Sequence, residues 1–133
     1  MKKSLVVLIL VLSVLLAVVP LFAHHGRGAK YDMKSQIALK GTITQILWRN
    51  PHIGIFLDVK DENGKVTNWA VEHSNVTTLA MQGYGHNTLH VGEEVTAYVY
   101  PGTGGAPVGL CIKFITADGR QIFQRAAGGG GVE

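Results

Sequence analysis

The alternation of apolar and polar residues along the chain constrains its fold more than any other feature. Residues 37–48, "IALKGTITQILW", follow the two-residue period of a strand with one buried face. Gly41 inside this segment predicts a bend or a bulge. Residues 53–60, "IGIFLDVK", and residues 65–72, "KVTNWAVE", alternate in the same way and are joined by the turn-forming "DENG". The pattern therefore predicts three strands in an antiparallel meander.

A short helix and two further strands are predicted after the meander. Ser74 can cap a helix over residues 75–82, and Gly83 can end it. Strands rich in β-branched and aromatic residues are expected at residues 94–100 and 109–116, followed by the turn "ADGR" and a short "QIF" segment. This order predicts a mainly β fold, a small five-stranded Greek-key barrel of the oligonucleotide/oligosaccharide-binding (OB) type with one short helix. A long, curling first strand suits that barrel.

An apolar N-terminal segment precedes the predicted barrel. This segment has the order of a secretory signal peptide: a basic start, an apolar run over residues 5–19 and a closing "PLFA". It is expected to form an apolar helix. The pattern predicts cleavage after Ala23 and a periplasmic or secreted protein. An uncleaved anchor is the alternative, because the run approaches the roughly 20 residues that span a bilayer. The predicted organisation is a signal peptide at 1–23, an N-terminal arm at 24–36, the barrel at 37–124 and a disordered Gly-rich tail at 125–133.

Charge and cysteine content exclude several classes of function. Without the leader, ten basic residues stand against nine acidic ones, so there is no electrostatic case for binding nucleic acid. The remaining 110 residues suffice for one small domain. We expect no stable membrane insertion of this domain once the leader is removed. Cys111 lies in the apolar "GLCIKFI" and is expected to be a buried structural thiol. Because no nucleophile motif of a known hydrolase is present, we expect no enzymatic activity.

Five short motifs in and beside the predicted strands show a family resemblance. The chain carries "AHHG", then Tyr31-Asp32, Asn50-Pro51-His52, Trp69 with Glu72, and a closing "DGR". In this succession it resembles a family of small exported bacterial proteins catalogued only as a domain of unknown function. The resemblance covers essentially the whole mature chain up to Phe123 and implies a signal peptide, an extracytoplasmic location and a compact β-domain, with no established activity. The family commonly has serine after the two histidines, whereas this chain has Gly26, so no side-chain role carries over to that position.

The histidines point to a metal. Six occur in this short chain, and cleavage after Ala23 would make His24 the N-terminal residue. Its α-amine, with a pKa near about 8, and its imidazole could then chelate one metal ion, and a further imidazole would complete a three-nitrogen set. Such ligation suits Cu(II), while zinc is the less favoured alternative because no zinc motif is present.

The predicted hairpin supplies the further imidazole. His25 is adjacent to His24 but lies on a loose terminus, whereas Pro51 stiffens the chain before His52. If residue 60 faces residue 65, residue 53 faces residue 72, so His52 would lie opposite His73 and Glu72 would point to the other face. The predicted metal ligands are His24, His52, His73 and His25.

Aromatic residues support a second class of function. Barrels of this type often stack ligands on strand aromatics, so Trp69 and Trp48, with Glu72, are candidate ligand-binding residues for a sugar, a peptide or an envelope protein, without a metal. The competing interpretation places the tryptophans in the core, because a domain of this size needs large apolar side chains there.

Overall fold

The computed structural model describes residues 30–125. It contains six strands and one short α-helix: β1 Ile37–Leu47, β2 Gly54–Lys60, β3 Val66–Glu72, α1 Val76–Met81, β4 Glu94–Pro101, β5 Val108–Thr116 and β6 Gln121–Ile122. The predicted strands and helix are therefore all present, with ends that differ by one or two residues. The glycine-rich connection between β4 and β5 contains one 3₁₀ turn, Thr103–Gly105.

Strand pairing confirms the predicted OB-like barrel. The sheet has the order β3-β2-β1-β4-β5-β6, and a parallel pairing of β3 with β5 closes it. The first half of β1 pairs with β4 and the second half with β2, so the strand joins both halves of the barrel as predicted. Gly41 is paired on both sides, with Val59 in β2 and Val95 in β4.

The predicted bulge near the middle of β1 is present, three residues beyond Gly41. The register shifts between Ile43 and Gln45, so the extra residue is Thr44 and not Gly41. Gly41 has another role, because a Cβ atom there would lie 2.5 Å from the carbonyl oxygen of Asp58. A glycine is needed at this point for β1 and β2 to approach each other.

The register of the β2–β3 hairpin differs by one residue from the prediction. Lys60 pairs with Val66 and Gly54 with Glu72. The reason is the turn: the backbone N–H of Asp61 donates to the carbonyl of Lys65 at 2.9 Å, which leaves a three-residue loop. Gly64 supplies the left-handed residue of that loop, with φ of 82°. A shift of one residue exchanges the two faces of the strand, so Glu72 takes the outward place predicted for His73.

The short helix α1 begins one residue later than predicted. Asn75, and not Ser74, is its N-cap, and the Asn75 side chain accepts a hydrogen bond from the backbone N–H of Thr78 at 2.8 Å. The predicted end is confirmed, since Gly83 follows the helix with φ of 84°.

The core fills the barrel and is closed by an aromatic side chain from the C-terminal segment. Its buried apolar residues include Leu39, Ile43, Ile53, Ile55, Leu57, Val71, Leu79, Val95, Val99, Leu110, Phe114 and Phe123. Cys111 is fully buried, as predicted, and burial raises the pKa of its thiol. The Phe123 ring packs edge-on against those of Tyr84 and Phe114, with centroid distances of 4.8 and 5.9 Å.

The turn between β5 and β6 contains a carboxylate, Asp118, whose titration at low pH can be measured. The Asp118 carboxylate accepts hydrogen bonds from the Thr116 hydroxyl and from Arg120 Nε, and these lower its pKa to about 2. Because the pKa is depressed, the associated stabilisation is complete above about pH 4 and is lost as the pH falls through about 2. A carboxyl-carbon NMR titration should give a midpoint near pH 2 for Asp118. Thr116→Val should raise it towards the ordinary value of about 3.9; a midpoint already near that value in the parent protein would contradict the expectation.

Several sequence-based predictions concern residues outside the described range. The signal peptide at 1–23, His24, His25 and the tail beyond residue 125 all lie there. Within residues 30–125, no helix is both long enough and apolar enough to cross a membrane.

Candidate functional site

The described part of the N-terminal arm is docked on the barrel. Tyr31 is 1% exposed and forms an isolated antiparallel bridge with Gly102, and the backbone N–H of Asp32 donates to the carbonyl of Pro101 at 2.8 Å. A Cβ atom at position 102 would lie 2.4 Å from the Val108 side chain, so a glycine is needed where this loop passes Val108. Tyr31 therefore anchors the arm to the loop that follows β4.

The Glu72 carboxylate connects the arm to the β1–β2 loop. Its Oε2 accepts hydrogen bonds from the Tyr31 hydroxyl and from Lys30 Nζ, each at 2.8 Å. Its Oε1 lies 3.1 Å from Nδ1 of His52. A carboxylate beside Nδ1 favours the proton on that nitrogen, which leaves Nε2 of His52 with its lone pair. One half-buried carboxylate thus holds two residues of the arm and one of the loop.

The protonation of this cluster follows from its neighbours. Burial acts to raise the pKa of Glu72, but the hydrogen bonds from Lys30 and Tyr31 outweigh it, so the pKa lies below its usual value. Burial raises the pKa of Tyr31. At neutral pH the cluster therefore consists of a charged Glu72, a neutral phenol and a charged Lys30, whose pKa is raised mainly by its hydrogen bond to Glu72.

Hydrogen bonding to α1 fixes the loop that carries His52. The Asn50 side chain accepts a hydrogen bond from the backbone N–H of Val76, at the first turn of the helix, at 3.0 Å. The peptide bond between Asn50 and Pro51 is cis. At the other end of the loop, the backbone N–H of Ile53 donates to the carbonyl of Ser74 at 3.0 Å. His52 therefore lies between two fixed points, with its side chain 41% exposed.

The structure separates His73 from His52, contrary to the predicted register. His73 is 1% exposed and faces the core. Its Nδ1 accepts a hydrogen bond from the backbone N–H of Ser74 at 2.6 Å, and its Nε2 lies 2.7 Å from the carbonyl oxygen of Phe123. Because a carbonyl can only accept, Nε2 carries the proton, and both ring nitrogens are occupied. The imidazole therefore offers no lone pair to a metal.

Both tryptophans pack against the core. Trp69 lies on the same face of β3 as the buried Val71, opposite to the face that carries Glu72. Trp48 lies at the end of the barrel, with its ring centroid 6.3 Å from that of Phe123. The proposed grouping of Trp48, Trp69 and Glu72 in one ligand site is therefore not found on one face of the barrel.

The described residues alone do not form a metal site. Between residues 30 and 125, no three His, Cys, Asp or Glu side chains come together in a way that could hold a metal ion. Of the four predicted ligands, His52 lies at the Glu72 cluster, His73 lies in the core, and His24 and His25 fall outside the described range.

The profile described as "Family of unknown function (DUF6152)" matches residues 11–112. The chain belongs to this family. The resemblance drawn from the sequence motifs is thereby confirmed. No match was found among curated proteins. Among solved structures, this DUF6152 chain is similar to the mitochondrial single-stranded DNA binding protein Rim1 of S. cerevisiae, with 8% identity and a TM-score of 0.45, over 68% of this chain and 96% of that chain.

A pocket of about 300 Å³ adjoins the Glu72 cluster in this DUF6152 protein. Leu47, Gly54, Ala70 and Val108 contribute apolar surface, and Lys30, Arg49, His52 and Glu72 contribute polar groups. His52 and Glu72 are predicted from the sequence, and Tyr31 has a signal there as part of the Tyr-Asp motif. Lys30, Arg49 and Gly54 have no such signal, because their place in the site depends on the hairpin register and on the docking of the arm.

Proposed function

We propose that this protein is an exported, non-enzymatic β-barrel protein that binds copper through its processed N-terminus and His52. One observation supports the proposal above all: the same carboxylate, Glu72, contacts His52 and the two arm residues Lys30 and Tyr31. Lys30 and Tyr31, the first described residues of the arm, thus share a carboxylate with the best-placed imidazole of the described chain.

His52 has the surroundings of a metal-binding imidazole. In metal sites the ligating histidine commonly gives its second ring nitrogen to a carboxylate, which fixes the tautomer and makes the ligand more basic. Glu72 occupies that position, 3.1 Å from Nδ1. The Nε2 atom has no hydrogen-bond partner within residues 30–125 and belongs to a side chain that is 41% exposed. His52 can therefore supply one fixed nitrogen ligand.

The remaining nitrogens would come from the N-terminus produced by cleavage after Ala23. His24 is seven residues before the anchored Tyr31, and seven extended residues reach at most about 25 Å. The α-amine and imidazole of His24, with the imidazole of His25 as a further donor, are then within reach of His52. A nitrogen-rich set of this kind suits Cu(II) better than zinc. His73 leaves the proposed ligand set, because both of its ring nitrogens are hydrogen-bonded.

Copper titration of the mature protein tests this function. A chain starting at His24 should bind one Cu(II), with a nitrogen-rich EPR spectrum, and intact mass should give the same start for exported protein. Adding one residue before His24, or making the variant His52→Ala, should weaken Cu(II) binding by about 10-fold or more, because each removes a ligand. His90→Ala is the matched control, since His90 is an exposed histidine that also contacts a carboxylate, Glu93. An equal loss in the control, or a mature mass that starts elsewhere, would rule out this site.

A metal-free binding module is the second candidate function. It is supported by the pocket of about 300 Å³ beside Glu72, which lies near the lower limit for small-molecule sites. Such a module would bind an envelope ligand, a sugar, a peptide or a partner protein, on the outer barrel face. Its binding should be unchanged when the residues before Lys30 are altered, which distinguishes it from the copper function.

A further inference from the structure

Gly54 is a glycine that the fold itself does not require. It lies at the start of β2, where it pairs with Leu47 on one side and Glu72 on the other. A Cβ atom there would lie 3.6 Å from Phe56 and 3.9 Å from Leu47, which are ordinary van der Waals contacts, and the backbone φ is not in the left-handed range. Gly41 differs, because a Cβ atom there would meet a carbonyl oxygen at 2.5 Å.

The absent side chain of Gly54 leaves space on the outer face of the sheet. Gly54 lines the pocket of about 300 Å³, together with the small Ala70 on the neighbouring strand. Glycine within a strand often marks a place where another group approaches the backbone closely. Phe56 and Leu47 border this space at 3.6 and 3.9 Å from the position of the missing Cβ, and the part beside Gly54 that belongs to the pocket is open to an external ligand.

The charged groups that line the pocket favour an anion. Lys30 and Arg49 are its two cations, and Glu72 is the single carboxylate among its lining residues. That carboxylate is already in contact with Lys30, Tyr31 and His52. Arg49 is exposed and forms no ion pair with any residue in the range 30–125. Its guanidinium is therefore available to a ligand, and its planar fork matches a carboxylate in two-point contact.

We propose that this pocket binds a small organic carboxylate with an apolar body, the carboxylate on Arg49 and the apolar body over Gly54 and Ala70. The ligand class, which rests on the binding-module function, follows from the combination of an apolar surface at Gly54 and Ala70 with one available guanidinium. A compact inorganic anion would not cover this apolar surface, and a neutral apolar molecule would not pair with Arg49. The site requires no metal and none of the residues before Lys30.

Benzoate is a suitable probe, titrated into the full mature protein with EDTA present and followed by amide NMR. The expected shifts centre on Gly54, Ala70 and Arg49. Gly54→Val should abolish them by filling the space, and Arg49→Gln should weaken binding by about 10-fold, because it removes the charge-assisted contact. Gly85→Val is the matched control: no atom lies within 4 Å of a Cβ built at Gly85, and its φ is not left-handed.

The outcomes separate the ligand class from the pocket itself. Shifts with benzyl alcohol equal to those with benzoate would overturn the carboxylate class, and the pocket would remain a binding site. Absence of any benzoate shift at these residues, or an equal loss in Gly85→Val, would overturn the site. If Gly54→Val does not fold, judged by circular dichroism, the Arg49→Gln comparison decides. Copper binding through His24 can fail without affecting any of these results.

Discussion

Replacing Phe123 by alanine should lower the free energy of unfolding by about 3–5 kcal/mol, the usual cost of truncating a large buried aromatic. The side chain is 1% exposed, and its ring contacts those of Tyr84, His73, Phe114 and Trp48 at centroid distances of 4.8 to 6.3 Å. Small domains have a total stability of about 5–15 kcal/mol, so the loss is a large fraction of it. Urea unfolding monitored by tryptophan fluorescence measures the change directly.

Two matched variants separate ring packing from backbone effects at Phe123. The carbonyl of residue 123 accepts the hydrogen bond from His73 and remains in every variant, so the loss measured is mainly that of the ring. Phe123→Leu keeps part of the volume and should cost less than the alanine variant. Phe56→Ala removes an outward ring that is half buried and should cost still less. If Phe56→Ala lowered the free energy of unfolding as much as Phe123→Ala, the Phe123 ring would not be the aromatic side chain that closes the core.

The strands could be predicted from sequence because their signal is local. The alternation of apolar and polar residues over 37–60 indicates which face of each strand is buried. The order of the elements then restricts the topology to a few barrels. The parallel pairing of β3 with β5 closes the barrel. Phe123 had no such signal, because "QIF" shows neither its left-handed φ of 53° nor the four rings around it.

The candidate site was harder to predict because it depends on a register. The turn residues "DENG" permit loops of several lengths, and the hydrogen bond between Asp61 and Lys65 selects the three-residue loop. That choice brings Glu72 and not His73 to the outer face beside His52. Lys30 and Tyr31 reach Glu72 across more than forty residues of chain, a contact that no local pattern records.

Replacing Tyr31 by alanine should release the arm and destabilise the barrel. Tyr31 is 1% exposed, so the loss of packing should approach the 3–5 kcal/mol typical of a large buried aromatic. The variant also removes one of the two hydrogen bonds that lower the pKa of Glu72, so that pKa should rise. Amide exchange provides the local measurement: the N–H of Asp32, bonded to Pro101 at 2.8 Å, should lose its protection, while thermal unfolding reports the global loss.

Tyr31→Phe is the matched control, because it keeps the ring and removes only the hydroxyl. This variant should cost about 1–2 kcal/mol, since a hydrogen bond to a partly exposed charged group is lost and the phenyl ring still fills its site. The Asp32 amide should remain protected, and the pKa of Glu72 should rise as in the alanine variant. If copper binding requires the docked arm, Tyr31→Ala should weaken it and Tyr31→Phe should largely preserve it. Equal protection of the Asp32 backbone N–H in both variants would show that the Tyr31 ring does not anchor the arm. Lys30 would then be the only arm residue left to connect the arm to Glu72.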